Sequence, residues 1–115
     1  MKSKNFQFLA ERFSSPKRSS FMFNTKAHFL LSLYISEKNG KASYESICLD
    51  IPYNTASRGT IQNILIMGIE LGIFIKIEKY EDKRVKLYSL SEKAQNDMDD
   101  FLQQWYLILK NNLEG

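Results

Sequence analysis

Between Ser57 and Leu90 the spacing of the apolar residues switches from helical to alternating, and the switch falls at Gly72. Plotted at about 100° per residue, Ile61, Ile64, Leu65, Gly68 and Leu71 share one face, which predicts an amphipathic helix from Ser57 to Leu71. Beyond Gly72, Ile73, Ile75 and Ile77 alternate with Phe74, Lys76 and Glu78. Val85 and Leu87, with Ser89 in step, alternate with Lys86 and Tyr88. Separated by the charged turn Tyr80-Glu81-Asp82-Lys83, these runs predict a β-hairpin over 73–80 and 84–90. Gly68, which costs about 1 kcal/mol of helix propensity, is read as a place where another backbone comes close.

Four helical segments precede the hairpin, Ser57 to Leu71 the last of them, and one follows it. Phe6, Leu9 and Phe13 sit at helical spacing in a short N-terminal helix, and Ser14 to Ser20, with Pro16, reads as a loop. Six of the eight phenylalanines fall in the first 29 residues, too much apolar surface for a solvated tail, so this arm docks on its own body or on a second subunit. Asn24 or Thr25 caps a helix running to Lys38, with Ala27, Leu30, Leu31, Tyr34 and Ile35 as its stripe and Asn39-Gly40 as its left-handed stop. Ser43 caps a shorter helix to Leu49, after which Pro52 opens a polar turn. Ser91 caps the last helix, whose stripe is Ala94, Met98, Phe101, Leu102, Trp105, Ile108 and Leu109. The order predicts a mainly α chain with a small β-hairpin wing, a winged helix-turn-helix with a long C-terminal helix for dimerisation. Residues 1–23 form an arm, 24–90 the winged domain and 91–115 the dimerisation helix.

Composition excludes several classes. With 43% hydrophobic and 25% charged residues the chain is an ordinary globular one. No apolar run spans a membrane, and no apolar signal core follows the basic start. The single Cys48 cannot form an internal disulfide, so a reducing cytoplasm is the expected compartment. With one histidine, one cysteine and no Gly-rich loop the chain offers no catalytic constellation, metal site or cofactor site, and an enzyme is not expected. His28 is read as a hydrogen-bonded structural residue, and Cys48 as a small core residue or a redox sensor. Residues 1–41 hold eight Lys/Arg against two acids, which is either a footprint for nucleic acid or a solvated basic tail.

Two segments carry a resemblance. Asp82-Lys83-Arg84-Val85-Lys86-Leu87-Tyr88-Ser89-Leu90-Ser91-Glu92-Lys93-Ala94 resembles the wing of the MarR-type winged helix-turn-helix regulators: Asp-x-Arg, an alternating strand, then Leu-Ser/Thr-x-Lys-Gly leading into a helix, with Ala94 in place of Gly. Ser57-Arg58-Gly59-Thr60-Ile61-Gln62-Asn63-Ile64-Leu65, ending in Gly72-Ile73-Phe74, is similar to that family's recognition helix. Together the matches cover about residues 43–94, and the turn from Leu49 to Ser57 is longer than the family's.

The resemblance implies a homodimeric regulator of transcription, a repressor, on double-stranded DNA. Arg58, Thr60, Gln62 and Asn63 would face base edges in the major groove, and Arg84, steadied by Asp82, would reach the minor groove. Lys79, Lys83 and Lys86 would hold phosphates. Phe6, Leu9, Phe13, Met98, Phe101, Leu102, Trp105, Ile108 and Leu109 would form the dimer contact. The family leaves room for a small-molecule effector, which no residue here identifies. Two rival uses of the same scaffold stay open: a protein-binding module, and a DNA-binding factor of plasmid or phage replication or partition. Ile66 and Met67 share a face with Gln62, Asn63 and Glu70, and three placements are open to them: beneath the wing, against the arm, or on thymine methyls.

Overall fold

The computed structural model describes residues 4–14, 18–78 and 85–114. Local signals fix most of the helix ends. Thr25 accepts the backbone N–H of His28 and starts α2 (Lys26–Lys38), which stops where Asn39 and Gly40 turn left-handed, at φ 50° and 83°. Ser43 and Ser46 exchange a reciprocal capping pair at the start of α3 (Tyr44–Asp50). Ser57 accepts from the Thr60 N–H to begin α4 (Arg58–Glu70). Ser91 accepts from the Ala94 N–H at the head of α5 (Glu92–Glu114). α1 (Lys4–Phe13) and a 3-10 helix (Arg18–Phe23) precede them, the latter starting within the segment from Ser14 to Ser20 read as a loop.

The hairpin is part of a three-stranded antiparallel sheet in the order β1-β3-β2. β2 (Phe74–Glu78) pairs with β3 (Lys86–Leu90) in the register Phe74 to Leu90 and Glu78 to Lys86. β1 (Ala42–Ser43), two residues long, adds to the far side of β3. The buried side of the hairpin carries Phe74, Tyr88 and Leu90, whereas Ile75 and Ile77 on the other side are half-exposed. Gly68 is buried because the ring of Phe74 lies against it, and a Cβ there would collide with that ring. The close neighbour is therefore a side chain, where a backbone had been expected. At the junction Gly72 takes φ 76°, the Ile73 N–H reaches back to Gly68, and the Ser91 N–H closes onto Ile73.

One core runs through all three expected segments. Phe21, Met22 and Phe23 of the 3-10 helix, Leu31 and Ile35 of α2, Ile61 and Leu65 of α4, and Met98 and Phe101 of α5 all bury in it. The arm docks on its own body. Phe8 stacks on Phe101 and Trp105, with ring centres 5.4 and 6.0 Å apart. Arg12 lies 5.8 Å from the ring centres of Phe8, Phe23 and Phe101 and 3.6 Å from Asp100. Asn112 donates to Asn5 at the far end of the same helix pair.

Two polar residues at this core make testable predictions. Ser32 is fully buried in α2, and its hydroxyl has no hydrogen-bond partner among the described residues. Ser32→Ala removes that orphan and improves helix propensity, so it is expected to raise stability by up to about 1 kcal/mol. A loss of that size in urea unfolding would mean the hydroxyl has a partner. His28 holds Thr25 at 2.7 Å through Nδ1 and packs its ring against the edge of Phe21. Burial pushes its pKa below the ordinary 6.5. The unfolded imidazole therefore takes up its proton first as pH falls, and folded stability drops through about pH 6.5 downward. His28→Gln is expected to flatten that step in unfolding measured at about pH 7.5 and 5.5. An unchanged step would assign it to other groups.

Candidate nucleic-acid interface

α3, the turn after it, and α4 form a helix-turn-helix. Ile51 and Ala56 anchor the turn by burial, and the Thr55 and Ala56 N–H groups both close onto Pro52 at 2.8 and 3.3 Å. These contacts explain the extra length between Leu49 and Ser57: the added residues form a closed turn, and Ser57 still caps α4 where the sequence placed it.

α4 buries Ile61, Ile64, Leu65 and Gly68 and turns its other side outward. Arg58, Thr60, Gln62 and Asn63 are all exposed there. Thr60 is fixed at the helix start, where its Oγ1 accepts from the Ser57 hydroxyl at 3.2 Å. Arg58 is held toward α3: its guanidinium is 3.6 Å from Glu45 and 5.9 Å from the ring centre of Tyr44, whose hydroxyl donates to the Arg58 carbonyl at 3.4 Å. Hydrogen bonding to Cys48, then burial, holds the Tyr44 hydroxyl above its ordinary pKa. The Arg58–Glu45 pair is exposed on both sides, at 59% and 71%, and an ion pair of that kind contributes about 0–1 kcal/mol. A stronger anion can displace the carboxylate.

Between α4 and the sheet lies an open groove of about 420 Å³, lined by Tyr44, Gln62, Leu65, Ile66, Ile69, Lys76, Lys86 and Tyr88. Lys86 donates to Glu78 across the hairpin at 2.8 Å, and with Lys76 it holds the Glu78 carboxyl below its ordinary pKa. Burial raises the Tyr88 hydroxyl. Lys76 was not among the residues expected here. Its place follows from the inward-turned face of β2, which alternation alone does not identify. Lys79, Asp82, Lys83 and Arg84, the rest of the expected wing surface, lie outside the described residues.

Other expected residues fall elsewhere. The arm lies along α5, and its Arg12 is engaged with Asp100 and three aromatic rings, so this cation belongs to packing. Met98 and Phe101, expected at a dimer contact, are 0% and 3% exposed and lie inside this chain's own core. Leu9, Leu102, Trp105 and Ile108 are half-buried, while Phe6, Phe13 and Leu109 are exposed, as are Tyr106, Leu107 and Leu113 further along α5. Ile66 and Met67 are 49% and 47% exposed on the outer side of α4. Among the described residues no three His, Cys, Asp or Glu side chains are grouped to hold a metal ion, and no helix is long and apolar enough to cross a membrane.

No family model matches the chain, and no curated protein matches it in sequence. Solved structures do match it in fold. The transcriptional regulator SlyA superposes with a TM-score of 0.61 at 18% identity, over 97% of this chain and 78% of that one. MarR gives 0.59 at 15%, over 92% and 72%. A mutant of ZitR from Lactococcus lactis gives 0.54 at 20%, over 99% and 82%. The fold is thus a MarR-type winged helix: among the described residues, five α-helices and a small three-stranded antiparallel sheet, the last helix long and C-terminal.

Proposed function

We propose that the chain is a sequence-specific regulator of transcription that binds double-stranded DNA as a homodimer in the cytoplasm and acts as a repressor. The observation that carries this reading is the outer row of α4. Arg58, Thr60, Gln62 and Asn63 are all exposed at the N-terminal half of a helix that leads directly into the wing. That half of a recognition helix is the part that meets base edges. α4 then lies in the major groove and the wing on the minor groove, with Arg84, supported by Asp82, as the wing's deepest contact. Lys79, Lys83, Lys86 and Lys76 hold phosphates, which position the protein without specifying sequence. Likeness of fold to proteins described as transcriptional regulators supports the reading. Binding, not catalysis, is the activity proposed.

The dimer contact is assigned to the end of α5 and the outer side of α1: Phe6, Phe13, Leu107, Leu109 and Leu113, flanked by Leu9, Leu102, Trp105 and Ile108. Exposed apolar surface of this extent marks an interface. Two-fold symmetry would then set two α4 helices on half-sites about one helical turn apart.

Selection of bound duplexes from a random pool, with the solution mass measured alongside, tests the proposal. A palindromic consensus and a mass of two chains are expected. Absence of any enriched duplex, with the folded chain intact, would turn the scaffold over to a protein partner.

A further inference from the structure

Beyond its hydrogen-bonding start, the outer side of α4 becomes apolar. Ile66 and Met67, 49% and 47% exposed, follow Gln62 and Asn63 by one turn on the same side of the helix. Among the described residues neither of the covers open to them in sequence lies on them. The arm lies along α5, and the wing stands across an open groove that only Ile66 borders. The remaining chemistry of this surface is equally selective. Its two amides face outward, one turn beyond Arg58, the only cation of α4, which rests against Glu45 and Tyr44 in an exposed and displaceable pair.

We infer that Ile66 and Met67 read thymine C5-methyl groups, so that the stretch of α4 from Gln62 to Met67 is a reader of A·T pairs. The methyl of thymine is the one apolar group that a base presents in the major groove, and Asn and Gln are the side chains that pair bidentately with adenine N6 and N7. The spacing fits. Four residues of helix advance about 6 Å, and successive bases on a strand are about 3.4 Å apart. The amides and the apolar pair therefore fall within two base steps of each other. This inference rests on the DNA-binding reading above and adds to it the kind of sequence bound.

The test uses the whole chain and the duplex enriched from the random pool, with each thymine replaced in turn by deoxyuridine. That change removes one methyl and keeps every Watson–Crick bond, and it leaves the protein untouched. At one or two positions in each half-site the affinity is expected to fall about fourfold, the worth of one buried methyl. In Ile66→Ala or Met67→Ala the uracil penalty at the matching position is expected to vanish, while thermal unfolding stays within a few degrees of the parent. Three results would overturn the inference: no thymine position sensitive to uracil, an uracil penalty unchanged in both variants, or a change in solution mass on either substitution, which would give this face to a second copy. Salt-sensitive duplex binding without methyl dependence would leave the DNA-binding reading standing, and absence of duplex binding would end both.

Discussion

Phe101→Ala is expected to lower the free energy of unfolding by about 3–5 kcal/mol and to release α1 from the body. Phe101 is 3% exposed, and its ring centre lies 5.4, 4.9 and 5.6 Å from those of Phe8, Phe23 and Phe29. Truncation leaves a cavity where the arm, the 3-10 helix, α2 and α5 converge. It also deprives Arg12 of one of the three rings beneath its guanidinium. The loss is a large share of the roughly 5–15 kcal/mol that holds an ordinary domain together. Trp105, the only tryptophan, reports the local event because Phe8 stacks on it at 6.0 Å. Its emission is expected to move to the red as α1 lifts. Urea unfolding at one fixed protomer concentration separates packing from assembly. A loss under about 1 kcal/mol with unshifted emission would place the core elsewhere.

The second large effect belongs to DNA binding. Arg84→Ala is expected to weaken affinity for the enriched duplex on the order of tenfold to a hundredfold, the worth of a lost charge-assisted contact of about 1.5–3 kcal/mol. Its melting temperature is expected to stay nearly unchanged. Arg84 follows Asp82 by two residues at the start of the segment that resembles a MarR-type wing. A fixed guanidinium fork presents more to a narrow groove than a mobile ammonium does. Lys86→Ala provides the contrast. Lys86, which rests on Glu78 at 2.8 Å, is proposed to hold a phosphate, so its removal is expected to cost affinity evenly across sequences and to lower the salt dependence by about one phosphate. Unaltered affinity in the Arg84 variant would remove the wing tip from the mechanism.

Much of this architecture is legible in the residues because local chemistry decides it. Thr25, Ser43, Ser57 and Ser91 each satisfy an N–H that a helix start leaves orphaned, and a short hydroxyl side chain is visible in sequence as such. The buried side of α4 follows from a period of 3.6. What depends on distant neighbours is less legible. β1 is two residues long, too short to show any period, and only its pairing with Tyr88 and Leu87 makes it a strand. Alternation in β2 separates Phe74 and Lys76 from Ile75 and Ile77 but does not say which side meets the body. The notch at Gly68, shaped to one aromatic ring, decides that. Lys76 was missed as a groove residue for the same reason. A helical stripe likewise does not reveal where a monomer core ends and an interface begins. Phe101 falls in the core with Phe8 and Phe23 of the arm packed on it, and Met98 is buried one turn earlier, while Leu107 and Leu113 on later turns of α5 are exposed.

The central claim is that the outer side of α4 and the wing beside it grip the double helix. Equilibrium binding of the purified chain to the enriched duplex, followed from about 50 to 200 mM salt, tests it most directly. Each phosphate held adds about 0.9 to the slope of log affinity against log salt. With the wing cations on phosphates, affinity is expected to fall more than tenfold across that range. A flat line, or no binding to any duplex at the lowest salt, would contradict the account.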